Sequence, residues 1–149
     1  MEVKRLEVLT DEAAEIVEEY YAYVGVMVRD SVAELQRTVA EVSGGMWAAL
    51  SEGKMVGCVV LRPVPEVAGA GECKRLYVRR AWRGAGVGDA LMEALERYAR
   101  EVAGYGWVYL DSKTDLVAAV ALYARRGYMP CERYNANPQA TLFMRKRLG

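Results

Sequence analysis

Residues 83–88 read Arg-Gly-Ala-Gly-Val-Gly, between a stretch rich in strand formers and a stretch of helical periodicity. Glycines at 84, 86 and 88 leave successive backbone N–H groups unscreened by side chains. At a helix start those groups point outward and the helix dipole adds partial positive charge, so the loop is an anion cradle suited to pyrophosphate. Arg79, Arg80 and Arg83 stand beside it as charge-assisted donors. The plain alternative is a turn that tolerates glycine, at a cost of roughly 0.5–1 kcal/mol for each surplus glycine in a helix. Two familiar phosphate loops fail on spacing. A dinucleotide fingerprint needs Gly-x-Gly-x-x-Gly, which Asp89 after Gly88 breaks, and a P-loop needs a Gly-Lys-Ser/Thr triplet that this chain lacks.

The chain contains no histidine. Proton transfer must therefore fall to Asp, Glu, Lys, Tyr, Cys or water, and Ser-His-Asp chemistry is excluded. The three cysteines (Cys58, Cys73, Cys131) are far apart and form no CxxC pair. They fit free thiols in a reducing compartment, with neither a disulfide framework nor a zinc site.

These groups need a scaffold, and 149 residues suffice for a single domain spanning 1–149. Lys+Arg and Asp+Glu number 20 each, so no basic excess draws nucleic acid. The charged start "MEVKRLEVLTDEAAE" lacks the apolar core of a signal peptide, and no apolar run reaches membrane-spanning length. A cytoplasmic protein is expected.

Residues 2–9 predict a first strand, followed by a helix over 12–28 capped by Thr10-Asp11. Ser31 with Glu34 has capping-box spacing and opens a second helix through Glu41. A hairpin turning at Gly53, a strand over 72–79, a helix over 87–103, a strand over 106–112, a helix over 115–126 and a final strand in "ATLFMRKRL" complete the plan. The fold class is α/β with a mixed central sheet, in the order β-α-α-β-β-β-α-β-α-β-β.

Arg83, Gly86 and Gly88 form Arg-x-x-Gly-x-Gly directly after a strand ending "LYV". Here the sequence resembles the GNAT superfamily of acetyl-CoA-dependent N-acetyltransferases. The resemblance continues in "AVALYARRGY" (119–128), similar to that family's second signature of a helical tyrosine ahead of Gly-Phe/Tyr. Together the two stretches span about residues 71–130.

The resemblance implies that Arg83, Gly84, Ala85, Gly86, Val87 and Gly88 hold the pyrophosphate of acetyl-CoA through N–H groups of residues 83–88, with no metal. Leu76, Tyr77 and Val78 would run beside the pantetheine arm, and the N–H of Tyr77 or Val78 would polarise the thioester carbonyl. Tyr123 matches the family's general acid. A phenol of pKa about 10 can donate to a thiolate of pKa about 8–9. Glu72, six residues before Val78, is the candidate base, with a water chain to a carboxylate as its rival and a solvated strand-edge role as the alternative. Cys73 faces the other way by strand alternation.

On the acceptor side, Tyr20, Tyr23, Met27 and Arg29 are expected to line a wall, although a Tyr/Met stripe at this spacing also suits a core. Tyr134, Asn135 and Asn137 in "YNANP" are turn chemistry that could also meet an acceptor. The implied activity is direct acetyl transfer to a primary amine, on a small molecule or a protein, in a ternary complex. The alternatives are a CoA-binding regulatory module and an acyltransferase for a larger acyl-CoA. Homodimers are common in the family.

Overall fold

The computed structural model describes residues 1–149. Its strands are β1 (Glu2–Arg5), β2 (Gly45–Ser51), β3 (Lys54–Pro63), β4 (Ala70–Val78), β5 (Trp107–Ser112), β6 (Met129–Pro130) and β7 (Leu142–Arg147). Its helices are α1 (Asp11–Val24), α2 (Val32–Ala40), α3 (Val87–Glu101) and α4 (Val117–Arg125). The element order is the one expected, and the strands join in one sheet ordered β1-β2-β3-β4-β5-β7-β6.

Local chemistry sets the helix starts. Thr10 Oγ1 accepts from the Ala13 N–H at 3.1 Å and caps α1. Ser31 and Glu34 exchange both bonds of a capping box at the start of α2. The first helix ends four residues short of Val28, because Gly25 adopts φ 77° and turns its N–H back to Tyr21 O. The first strand stops at Arg5 instead of residue 9, since its pairing with β2 covers only Glu2–Arg5.

Strand alternation then divides the core. Met46 and Ala48 of β2 pack toward Ile16, Val17 and Tyr21 of α1, while Trp47 and Ala49 face Leu91, Met92 and Leu95 of α3. Helices α1 and α2 therefore cover one face of the sheet, and α3 and α4 the other.

Two irregularities position the site. Strands β4 and β5 are parallel neighbours, yet they pair only over Ala70–Glu72 and Trp107–Tyr109. Beyond those residues both strands continue without bonding each other, which opens a wedge in the middle of the sheet. On its other side β4 carries one extra residue between its Lys74 and Tyr77 pairings with β3. Arg75 takes φ 57° at this bulge.

Candidate active site

The glycine loop follows β4 and runs into α3. Gly84 and Gly86 have φ of 81° and 83°, with no heavy atom within 4 Å of the position a Cβ would take. The Arg83 N–H is used by Arg80 O at 3.3 Å, so the free run begins at Gly84 and not at Arg83 as expected. From Gly84 to Asp89 no backbone N–H is bonded within the chain. Asp89, an anion at this helix start, is neutralised by Arg125 at 2.8 Å and Arg126 at 3.8 Å. A diphosphate fits this open, electropositive concavity. Arg83 itself folds back, with its Nε donating to Val78 O at 2.8 Å and its guanidinium 4.4 Å from the Tyr23 ring. Arg79 is held by Glu19 at 2.6 Å on the opposite side of the strand end.

Of the two candidate carbonyl-polarising groups, the ladder separates one from the other. Arg79 N–H donates to Val56 O at 2.8 Å, which in the antiparallel alternation makes Tyr77 and Cys58 a hydrogen-bonded pair. The Val78 N–H then points away from β3.

A cavity of ≈ 810 Å³ fills the wedge. Leu76 and Tyr123 line its inner end. The Tyr123 side chain is buried, its ring meeting Tyr128 edge-on at 5.9 Å. Its hydroxyl makes no hydrogen bond within the chain and yet is not sealed off, so it opens onto the cavity. Burial pushes this phenol well above its ordinary pKa and keeps it protonated. Behind it, Glu96 accepts from Tyr128 at 2.9 Å, Arg126 at 2.9 Å and Lys146 at 2.8 Å, locking α4 against α3 and β7. Cys73 lies against Met92 at 3.6 Å, its thiol pushed up by burial, and is no nucleophile.

One wall is a chain of alternating charges, of which the sequence singled out Glu72 alone. Arg75 binds Asp30 at 3.1 Å, and Asp30 binds Arg62 at 3.4 Å. Arg62 binds Glu72 at 3.1 Å, Glu72 meets Lys74 at 3.6 Å, and Lys74 binds Asp111 at 2.7 Å. The readable signal was charge inside apolar strands: "CKR" in β4 and the Asp of "WVYLDS" in β5. Glu72 lines the cavity as expected, but its carboxylate is already engaged. Besides Arg62 and Lys74, it accepts from Tyr134 at 2.6 Å and Asn135 at 3.1 Å. Little acceptor capacity remains for an incoming proton.

Tyr20, Tyr23, Arg29, Asn135 and Asn137 also line the cavity. Two expected members do not. Met27 lies beyond the end of α1, is 81% exposed, and contributes only its N–H, which Gln139 accepts at 2.9 Å. Tyr134 stands behind the wall between Tyr109 and Phe143, and touches the site only through its bond to Glu72. Gln139 also donates to Gly25 O at 2.9 Å, so the 134–140 segment and the α1–α2 loop close over the cavity together. No group of His, Cys, Asp and Glu side chains is arranged to hold a metal, and no helix is long and apolar enough to cross a membrane.

Comparison with known proteins converges on one family. The profile of the Acetyltransferase (GNAT) family matches residues 10–128. The chain is similar to an uncharacterised N-acetyltransferase of Schizosaccharomyces pombe, 34% identical over 134 residues, covering 86% of this chain and 81% of that protein. It is 30% identical to the IAA acetyltransferase of Azospirillum brasilense over 146 residues, 94% of this chain and 93% of the relative. A solved Klebsiella pneumoniae structure named as an acyl-CoA N-acyltransferase superposes with a TM-score of 0.81 at 27% identity, covering 99% of this chain and 97% of that one.

Proposed function

The chain belongs to the GNAT family of acetyltransferases, and from that premise we propose that it moves the acetyl group of acetyl-CoA directly to a primary amine within a ternary complex. The observation that carries this reading is a free N–H run and an unpaired phenol disposed about one strand. Residues 84–89 follow β4 with their N–H groups unbonded, the Val78 N–H at the end of that strand turns away from β3, and the unpaired Tyr123 hydroxyl opens into the cavity that Leu76 of β4 also lines. A pure binding module needs no unpaired phenol at the inner end of the cavity.

Acetyl-CoA, when bound, supplies an activated acetyl group and a thiolate leaving group. Residues 84–89 would hold its diphosphate, and Leu76 and Val78 its pantetheine arm. The Val78 N–H would donate to the carbonyl oxygen as negative charge grows there, a fixed dipole that needs no reorganisation. As the C–N bond forms and the C–S bond breaks, Tyr123 would give its proton to the sulfur. The amine's own proton must leave by another route. With most of the Glu72 acceptor positions already taken, we assign that route to water held against the charged wall. The three cysteines are free, which suits a reducing compartment, and we place the protein in the cytoplasm.

Calorimetric titration with acetyl-CoA, beside free adenosine 3′,5′-diphosphate and propionyl-CoA, tests the cofactor. Saturable one-to-one binding that needs both the diphosphate and the pantetheine arm is expected, followed by CoA release in an amine screen. A folded sample that binds no acetyl-CoA would end the enzyme reading.

A further inference from the structure

The chain of charges in the cavity wall has two ends, and they differ in sign. Its members run Arg75, Asp30, Arg62, Glu72, Lys74, Asp111. Each interior member lies between two opposite charges, while Arg75 and Asp111 each have one charged partner. The uncompensated valence is therefore positive at Arg75 and negative at Asp111. The hydrogen bonds tell the same story atom by atom. Arg75 spends Nε and Nη2 on Asp30 and lies beside the Tyr20 and Tyr21 hydroxyls, and its Nη1 meets no carboxylate. Asp111 receives both Lys74 and Asn135 on Oδ2, Asn137 also stands beside the carboxylate, and Oδ1 meets no cation. Both side chains are more than nine-tenths buried, at 8% and 7% exposure, and both residues line the cavity. Neither free atom is sealed, because Arg5 Nε alone is a fully occluded polar atom without a bond. Two desolvated, half-answered charges of opposite sign thus open into one cavity.

The two ends also lie near each other. Asp111 is bonded at 2.7 Å to Lys74, the residue next to Arg75 in β4, and Arg75 and Asp111 line the same cavity. Asp111 and Tyr123 line that cavity together. Arg29, the arginine nearer the mouth, is turned outward to Glu18 at 3.5 Å and does not compete for an anion. Val24, Val26, Val28, Leu116 and Val117 supply apolar lining to the same cavity.

We propose, resting on the acetyltransferase reading above, that the acceptor is a free α-amino acid, its ammonium group bound at Asp111 Oδ1, its carboxylate at Arg75 Nη1 and an apolar side chain against the valines. A zwitterion of that size answers both free atoms at once. A peptide N-terminus or a polyamine supplies the ammonium group and leaves the Arg75 end unanswered, at the cost that attends a buried charge without its partner.

The test is equilibrium binding, so that it does not depend on turnover. Full-length protein saturated with CoA is titrated, with ligand-observed NMR as the readout, against leucine, leucinamide and isoamylamine, and against phenylalanine, phenylalaninamide and phenethylamine. At least one amino acid should bind about tenfold or more tightly than its amide and its decarboxylated amine. An amide or amine that matches its parent acid in both series overturns the proposal, as does failure of both acids to bind at millimolar concentration. Arg75→Gln should abolish the preference for acid over amide while acetyl-CoA affinity stays within about twofold of wild type. Because Arg75 also anchors Asp30, the wild-type series decides the matter if that variant does not fold. Absence of CoA release with every amine would remove the acetyltransferase reading and leave this binding result standing.

Discussion

The glycine loop and the cavity are made of different materials. At the glycine loop the free groups are backbone N–H donors from six consecutive residues, with no side chain near the open faces of Gly84 and Gly86. In the cavity they are side chains from α1, β3, β4, β5 and the loops after α1 and β6, brought together across up to 117 residues of sequence between Tyr20 and Asn137. The first arrangement is local and tolerates variation around it. The second is a mutual agreement among buried charges, in which each member's geometry depends on its neighbours. A backbone cradle suits a ligand that never changes, and a side-chain wall suits an acceptor that can differ from one family member to the next.

Substitutions should separate the two ends. The largest effect belongs to the cradle. Gly86→Glu places a side chain and a negative charge in front of the free N–H run, at a residue whose φ of 83° already disfavours any side chain. Acetyl-CoA binding should fall by about 10³-fold or more, a loss of roughly 4 kcal/mol. Micromolar affinity retained in a calorimetric titration would remove the loop from the cofactor site.

Tyr123→Phe strikes between the two ends. Affinity for acetyl-CoA should stay near wild type while kcat drops by about 10²-fold, the usual scale for a general acid. Since burial holds this phenol protonated, the wild-type kcat profile between about pH 6 and 9 should carry no limb from Tyr123. An unchanged kcat in the variant, with chemistry shown to be rate-limiting, would take Tyr123 out of the mechanism.

Glu96→Ala tests what supports that tyrosine from behind. It leaves Arg126 and Lys146 short of their buried partner and the Tyr128 hydroxyl unbonded. Both cations keep some solvent, so the loss should lie near the lower end of the range for broken buried pairs, about 3 kcal/mol in urea unfolding. A loss under about 1 kcal/mol would mean that α4 is positioned by its apolar contacts alone.

The smallest expected effect is a pH signature. Burial works against ionisation of Asp111, but Lys74 and the hydrogen bonds to its carboxylate outweigh that cost and hold the group below its ordinary value. A folded-state pKa lowered in this way gives stability that is complete above the unfolded value of about 3.9 and drains away as pH falls through the folded value. Asp111→Asn should therefore show a shallower acid limb below about pH 4 than wild type, with similar curves between about pH 5 and 8. Parallel acid limbs in the two proteins would show that the carboxylate gains nothing from Lys74.

Much of the molecule was determined by sequence alone. Element order, helix caps and the open backbone of the glycine loop follow from local rules, because periodicity, capping and backbone freedom act over a few residues, whereas Tyr123 was singled out only by the family resemblance of residues 119–128. The end of α1 at Gly25 was equally local, and the Tyr/Met stripe through Met27 obscured it. What only the tertiary structure decided was which charges meet. Asp30 lies in a loop, Arg62 at the end of β3, Lys74 and Arg75 at a bulge, and Asp111 on a strand that parts from its neighbour three residues after pairing begins. No spacing in the chain encodes that assembly. Its members are joined by Coulomb attraction in a wedge that exists only once β4 and β5 have separated, and such an attraction depends on distance in space, not on distance along the chain.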